Sequence, residues 1–220
     1  EGAGSRHSFG VNIRLPFDER PNVTMQGNPR LIMYKYFFNR KVAFLKEADA
    51  VALFPGGFGT LDEAMETLTL LQTGKRNPMP LVLVDTPGCS YWSRMISLFE
   101  EELLGRAYIC PSDFSLFEKV CSVDEAVARI QQFYKRYHSI RYVRGRLVMR
   151  LTSRLGPDEV GQLAERFRDM LLPGGTIAAS GATEAELKDD DVINLPRLVI
   201  DFDRKSFGRL RKLIDLVNEL

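Results

Sequence analysis

Val51-Ala52-Leu53-Phe54-Pro55-Gly56-Gly57-Phe58-Gly59-Thr60-Leu61-Asp62-Glu63 carries an apolar run through a proline- and glycine-rich break into the start of a helix. A short apolar strand, a turn and a helix make the unit from which parallel α/β sheets are assembled, and ligands bind such sheets beyond the carboxyl ends of the strands. Glycines at 56, 57 and 59 are expected to take positive φ and to let a ligand approach the backbone, with the open N–H groups of the next helix aimed at it. An anion such as a phosphate suits that turn, and Glu63 places a carboxylate beside it. The same letters hold a second reading: Thr60-Leu61-Asp62-Glu63 is a capping-box pattern, in which Thr60 and Glu63 satisfy backbone N–H groups reciprocally.

Two familiar phosphate motifs are excluded. As a dinucleotide fingerprint the stretch fails, because Asp62 stands where a third glycine would allow close packing of helix on strand. Gly74-Lys75 is followed by Arg76 instead of Ser or Thr, so it is no P-loop lysine. A second Pro-Gly-Gly, at 173–175, follows a helical pattern and precedes a strand-like run, which makes it a helix stop at the negative end of the dipole.

Outward from the turn, strands and helices alternate: strand 9–15, helix 29–47, strand 49–54, helix 60–73, strand 80–85, helix 91–104 and helix 123–137. Alternation of this kind predicts a Rossmann-like, doubly wound, mostly parallel sheet. Asp85-Thr86-Pro87-Gly88 falls at the same edge as the 55–60 turn and reads as a plain turn or as a wall of the pocket. Tyr91-Trp92 reads as core or as a stacking surface for a base. Beyond 138 the pattern changes to strand 147–151, helix 157–172, strands 176–179 and 197–202, and helix 206–219. The expectation is two domains, 1–138 and a small βαββα-type α/β domain over 139–220.

The segment 29–47 is expected to form one helix, opened by Asn28 as N-cap and Pro29 at the first position. One face carries Tyr34, Phe38, Val42 and Leu45; the adjoining stripe carries Met33, Phe37, Arg40 and Phe44. Arg40 on an apolar stripe must either snorkel to water or meet an anion, since an unpaired buried guanidinium costs several kcal/mol, roughly.

Composition narrows the function classes. The chain has 220 residues, 45% hydrophobic content and a net charge of +1, with no global charge arguing for nucleic acid and no apolar run long enough to span a bilayer. A cytoplasmic location is expected. Cys89, Cys110 and Cys121 lack metal or CxxC spacing and read as reduced thiols, and His7 and His138 are too far apart to suggest a metal centre. From Lys135 to Arg154 there are seven basic residues and no acid, a stretch that suits a phosphate-bearing effector, a nucleic-acid backbone or, as the preferred reading, a solvated sheet face with Arg144, Arg146 and Arg150 answering the acidic 184–191 loop. Asp189-Asp190-Asp191 within that loop reads as solvated, with a divalent ion as the alternative.

Arg40-Lys41, a strand, and then Pro55-Gly56-Gly57-Phe58-Gly59-Thr60-Leu61-Asp62-Glu63 resembles the LOG ("Lonely guy") family of nucleoside 5′-monophosphate phosphoribohydrolases, also labelled "possible lysine decarboxylase", a label this reading does not support. The family pairs an Arg-Lys step on one helix with PGGxGTxxE on the next strand-helix turn. The similarity runs roughly from residue 10 to 130, since Val11-Asn12-Ile13-Arg14-Leu15-Pro16 and 68–75 also look like longer bacterial members. The resemblance implies that Glu63 is the catalytic carboxylate and Arg40 its partner, that Gly56, Gly57, Gly59 and Thr60 hold the 5′-phosphate, and that the protein is a homo-oligomer, a dimer or larger. It implies no metal and no cofactor. Phe37 stands where the family usually has Met, which bears on nucleobase preference. The family's first βαβ half is missing from the sequence, and the strand at 9–13 has no preceding partner, so the chain is expected to be the C-terminal part of a longer polypeptide. The alternative function is a non-catalytic nucleotide-binding regulatory protein.

Overall fold

The computed structural model describes residues 8–14, 21, 23–189 and 192–220. His7, Leu15, Pro16, Asp190 and Asp191 lie outside the described residues, so neither the aspartate triplet nor the whole 11–16 stretch is accounted for structurally. The chain divides into two compact units, Glu1–Asp49 and Ala50–Leu220.

In the first unit β1 (Gly10–Ile13) pairs in parallel with β2 (Leu31–Tyr34), in the register Gly10 to Leu31 through Ile13 to Tyr34. Helix α1 (Phe37–Glu47) follows. The single helix expected over 29–47 is therefore corrected: its first part is a strand. The Asn28 side chain does not cap a helix but accepts from the Arg30 N–H at 2.9 Å, closing a tight turn into β2. Leu-Ile-Met-Tyr is a short apolar run that fits either period, and a hydrogen-bonding partner in β1 decides for the strand. Met33 and Tyr34 thus leave the expected helical stripes. On α1 only Leu45 is buried, while Phe37, Phe38, Val42 and Phe44 are exposed.

The second unit begins with β3 (Val51–Leu53), α2 (Phe58–Gln72), β4 (Leu81–Val84) and α3 (Tyr91–Leu98), which runs on as a π-helical segment, Phe99–Leu104. A 3-10 segment (Pro111–Leu116), β5 (Glu118–Val120) and α4 (Val123–Phe133) complete the first part. β3, β4 and β5 form a parallel sheet in that order, with Leu53 opposite Leu83 and Val84 opposite Val120. Leu81-Val82-Leu83-Val84 is buried at every position, as a central parallel strand covered on both faces requires.

The chain continues through β6 (Tyr137–Val143), β7 (Arg146–Leu151), α5 (Pro157–Arg166), β8 (Ile177–Ser180), α6 (Glu184–Asp189), β9 (Arg197–Ile200) and α7 (Phe207–Glu219). The strands form an antiparallel sheet in the order β6-β7-β9-β8. β5, β6 and α6 extend the expected element list. β6 escaped the periodic reading because His138, Arg141 and Tyr142 interrupt its apolar positions; what makes it a strand is a hairpin whose central Arg144 and Gly145 both have positive φ, 47° and 87°. Helix α5 stops at Arg166, short of the expected 172, and a 3-10 turn, Arg168–Met170, follows.

One face of the antiparallel sheet, with Leu147, Met149, Leu198 and Ile200, packs on α5 and α7, and Phe133 of α4 joins the same core. Helix α7 also reaches the first part of the unit. The Gly208 carbonyl accepts from Ser115 Oγ at 2.6 Å, and a Cβ on Gly74, whose φ is +66°, would lie inside the Phe207 ring, 1.9 Å from Cζ. The fold is mixed α/β with parallel sheets and one antiparallel sheet. Among the described residues no helix is long and apolar enough to cross a membrane.

Candidate active site

The turn after β3 is shaped by contacts from α3. Trp92 is fully buried, and its indole N–H donates to the Leu53 carbonyl at 3.0 Å, ending the strand at a fixed point. Three residues later along the turn the Tyr91 hydroxyl donates to the Gly56 carbonyl at 2.7 Å. Asp85, buried at the end of β4, accepts the Trp92 backbone N–H at 3.2 Å and so caps the first turn of α3. The Tyr91 and Trp92 rings meet edge to face, with centroids 4.9 Å apart.

Helix α2 starts earlier than the letters Thr60–Glu63 suggest. Gly57 is its N-cap, extended at φ −86° and ψ −160°, and no side chain caps it. Its carbonyl accepts from the N–H groups of Thr60 at 3.0 Å and Leu61 at 3.2 Å. Thr60 is thus inside the first turn, and the capping-box reading is set aside. Among the described residues no hydrogen bond engages the N–H groups of Phe58 and Gly59, the ordinary condition of a helix start and the one that suits an anion.

The expected positive φ at Gly56, Gly57 and Gly59 is also corrected, since none of the three has it. Space, not backbone torsion, is what these glycines supply. A Cβ on Gly56 would lie 2.2 Å from Thr60 Oγ1, so glycine at 56 lets the Thr60 side chain fold over the turn. Among the described residues a Cβ on Gly57 or Gly59 would meet nothing within 4 Å, so none of them closes the approach to the helix start.

Glu63 lies half-buried on α2, three residues after Thr60 and four after Gly59, and therefore on the same face of the helix as both. Its backbone carbonyl accepts from the buried Thr67 hydroxyl at 2.7 Å. The structure thus brings Gly56, Gly57, Gly59, Thr60 and Glu63 together on one turn and one helix face. Arg40 belongs to the first unit, half-buried on α1, with its guanidinium carbon 5.4 Å from the Phe37 ring centroid one turn back. That contact gives Phe37 a role beneath the guanidinium.

Sequence reading missed Asp85 as a cap and Tyr91 as an anchor. Trp92 is core, as one of its two readings had it. The apolar run ending in Asp85 and the Ser90-Tyr91-Trp92 helix start are visible signals, but the link from 91 and 92 back to 53 and 56 spans some 35 residues and is a tertiary fact.

Within the basic stretch, Arg144, Arg146 and Arg150 form internal ion pairs. Arg144 meets Glu184 at 3.6 Å and Arg146 meets Asp201 at 2.8 Å. Arg150, expected on a solvated face, is instead buried with Arg197 against one carboxylate, Glu186, at 2.9 Å from each. Burial pushes the Glu186 carboxyl up, but the Thr183 backbone N–H, Arg150, the Thr183 hydroxyl and Arg197 overrule it and hold the group at about 2. Cys89, Cys110 and Cys121 are free thiols. Among the described residues no cluster of three or more His, Cys, Asp or Glu could hold a metal ion.

The family described as "possible lysine decarboxylase" matches residues 2–130. The chain belongs to this family, the LOG family. Among similar curated proteins, the cytokinin riboside 5′-monophosphate phosphoribohydrolase LOG7 of Arabidopsis thaliana is 26% identical over 80% of the chain and 71% of its own length. LOG1 of the same plant, carrying the same description, is 28% identical over 62% of the chain and 62% of its own length. A probable cytokinin riboside 5′-monophosphate phosphoribohydrolase of Oryza sativa subsp. japonica, LOG4, is 31% identical over 44% of the chain and 40% of its own length. These names describe hydrolases of nucleoside monophosphates and not decarboxylases.

Proposed function

We propose that this LOG-family chain hydrolyses the N-glycosidic bond of nucleoside 5′-monophosphates, giving a free base and ribose 5-phosphate. The observation that carries the reading is the open helix start at Gly57–Gly59 with Glu63 on the same face of α2. The names of its relatives supply the reaction class.

In this mechanism the 5′-phosphate rests on the N–H groups at the start of α2, held by Gly56, Gly57, Gly59 and Thr60. Binding energy from that non-reacting end positions the anomeric carbon. As the bond to the base lengthens, positive charge grows on the sugar ring and needs a fixed anion, which is Glu63. The same carboxylate orients the attacking water, whose oxygen bonds to the anomeric carbon while its proton leaves with the base. The family pattern assigns Arg40 as the partner of that carboxylate, a role proposed from the sequence alone. No step draws on a metal or a redox cofactor.

The proposal extends to the setting of the site: a Rossmann-like nucleotide-binding region over 1–138, an accessory α/β region over 139–220, a homo-oligomer and a cytoplasmic location. Glu63→Gln is expected to keep nucleotide binding and abolish base release, whereas Arg40→Ala weakens both. Chromatography of free base from a panel of nucleoside monophosphates checks this. Wild-type turnover in Glu63→Gln rejects the assigned role, and tight nucleotide binding with no base released by the wild type over hours favours a non-catalytic nucleotide-binding regulator.

A further inference from the structure

Tyr91 touches the turn at the one peptide group that decides which way the turn presents its polarity. Its hydroxyl donates to the Gly56 carbonyl at 2.7 Å. In a trans peptide the N–H of the following residue points opposite to that carbonyl, so holding Gly56 O toward Tyr91 turns the Gly57 N–H away from it. A Gly-Gly peptide has almost no side-chain barrier to flipping, and a flip would swing a carbonyl oxygen to where that N–H now points. At an anion site such a flip exchanges an attractive dipole for a repulsive one.

The anchor is itself built in. Tyr91 is the first residue of α3, and the next residue, Trp92, is locked at both ends: its backbone N–H by the buried Asp85 carboxylate at 3.2 Å, its indole N–H by the Leu53 carbonyl at 3.0 Å. Asp85 sits in the register of the parallel sheet directly after Val84, which follows Leu83, the partner of Leu53. The two strand ends and the first turn of α3 therefore form one hydrogen-bonded frame, from which the Tyr91 hydroxyl reaches the turn.

We infer that Tyr91 is a positioning residue for phosphate recognition: by holding the Gly56 carbonyl it fixes the 56–57 peptide in the orientation that accepts an anion, and Asp85 and Trp92 fix Tyr91. This rests on the proposed phosphate site but not on the hydrolytic step. It predicts that loss of one hydroxyl weakens the binding of the phosphate and leaves the recognition of the sugar and base unchanged.

The test compares the affinity of AMP and CMP with that of adenosine and cytidine, by isothermal titration of the whole chain, in wild type and Tyr91→Phe. The phenylalanine ring keeps its edge-to-face contact with Trp92, and an unchanged melting temperature verifies the fold. The expected result is a loss of about five- to tenfold in nucleotide affinity, the scale of one hydrogen bond, with nucleoside affinity unaltered. Asp85→Asn, which keeps an acceptor for the Trp92 N–H, is expected to retain the preference for nucleotides. Equal loss for nucleotides and nucleosides in Tyr91→Phe, or no loss for either, overturns the inference, and so does a wild type that does not prefer nucleotides over nucleosides. Intact phosphate discrimination without base release leaves the inference standing and rejects only the hydrolase reading.

Discussion

At the scale of single residues, the glycines of the turn serve two different needs, and substitution separates them. Gly56 makes room for the protein: an alanine methyl there would meet Thr60 Oγ1 at 2.2 Å, so Gly56→Ala must displace the Thr60 side chain or the turn. The expected cost is about 1–3 kcal/mol, seen as a lower melting temperature in scanning calorimetry. Gly57 keeps space open, which the proposed function gives to the substrate phosphate. Its φ of −86° is open to alanine and a Cβ there meets none of the described residues within 4 Å, so Gly57→Ala should cost only what exchanging glycine for alanine at an N-cap costs, about 0.5–1 kcal/mol. Its effect belongs in nucleotide affinity, which the added methyl group lowers by occupying the approach to the helix start. A result with the two variants exchanged, Gly57→Ala unstable and Gly56→Ala unaffected, contradicts this division of roles.

Among the elements, α6 shows how a short helix is held by charge where it has little apolar surface. Thr183 and Glu186 cap its start, with the Thr183 N–H and hydroxyl 3.1 and 2.9 Å from the Glu186 carboxylate. The same carboxylate bridges Arg150 of β7 and Arg197 of β9, residues directly opposite each other in the sheet register. Arg197 also donates to the carbonyls of Val192 and Leu195, tying the loop before β9 to the cluster. Glu186→Gln leaves two buried guanidinium groups without their shared anion, and a loss of about 3–5 kcal/mol is expected in urea unfolding. The pH dependence follows from the lowered carboxyl. With a folded value of about 2 against an ordinary 4.5, Glu186 binds its proton more readily in the unfolded chain. Its stabilisation is complete above about 4.5 and fades as the pH falls from there to about 2. The stability gap between wild type and Glu186→Gln should therefore be constant near neutrality and shrink across that acid window.

For the molecule as a whole, the end of the chain is joined to the helix that begins at the candidate site. Arg211 of α7 is buried over the Phe133 ring of α4 and pairs with Glu118 of β5 and Asp215 of its own helix, at 2.6 and 2.9 Å. Further along, Phe207 lies against Gly74, just past the C-terminal end of α2, where φ is +66°. An alanine there meets both a strained backbone and an aromatic ring, so Gly74→Ala is expected to cost at least about 2 kcal/mol. Because α2 spans from the turn to that contact, one cooperative unfolding transition should shift to lower temperature, followed by the same midpoint in tryptophan fluorescence and in circular dichroism. Two separated transitions would show that α7 and α2 do not depend on each other.

Local chemistry wrote much of this molecule into its letters. Val51–Leu53, the glycine-rich turn, α2 with Glu63 on it, the buried run Leu81–Val84 and the amphipathic α4 and α7 follow from apolar periodicity and turn residues within a few positions of one another. The pattern failed wherever a distant partner decided the outcome. Leu31–Tyr34 is a strand because β1 pairs with it, and Tyr137–Val143 is a strand because the Arg144-Gly145 hairpin folds it onto β7. Arg150 is buried because a carboxylate 36 residues later comes to meet it. Glycines 56, 57 and 59 were legible as a place of close approach, yet whether they serve torsion or space depends on Thr60 and on Tyr91 across the sheet edge. Periodicity is a property of neighbours in the chain, whereas pairing, burial and the orientation of a peptide group depend on neighbours in space.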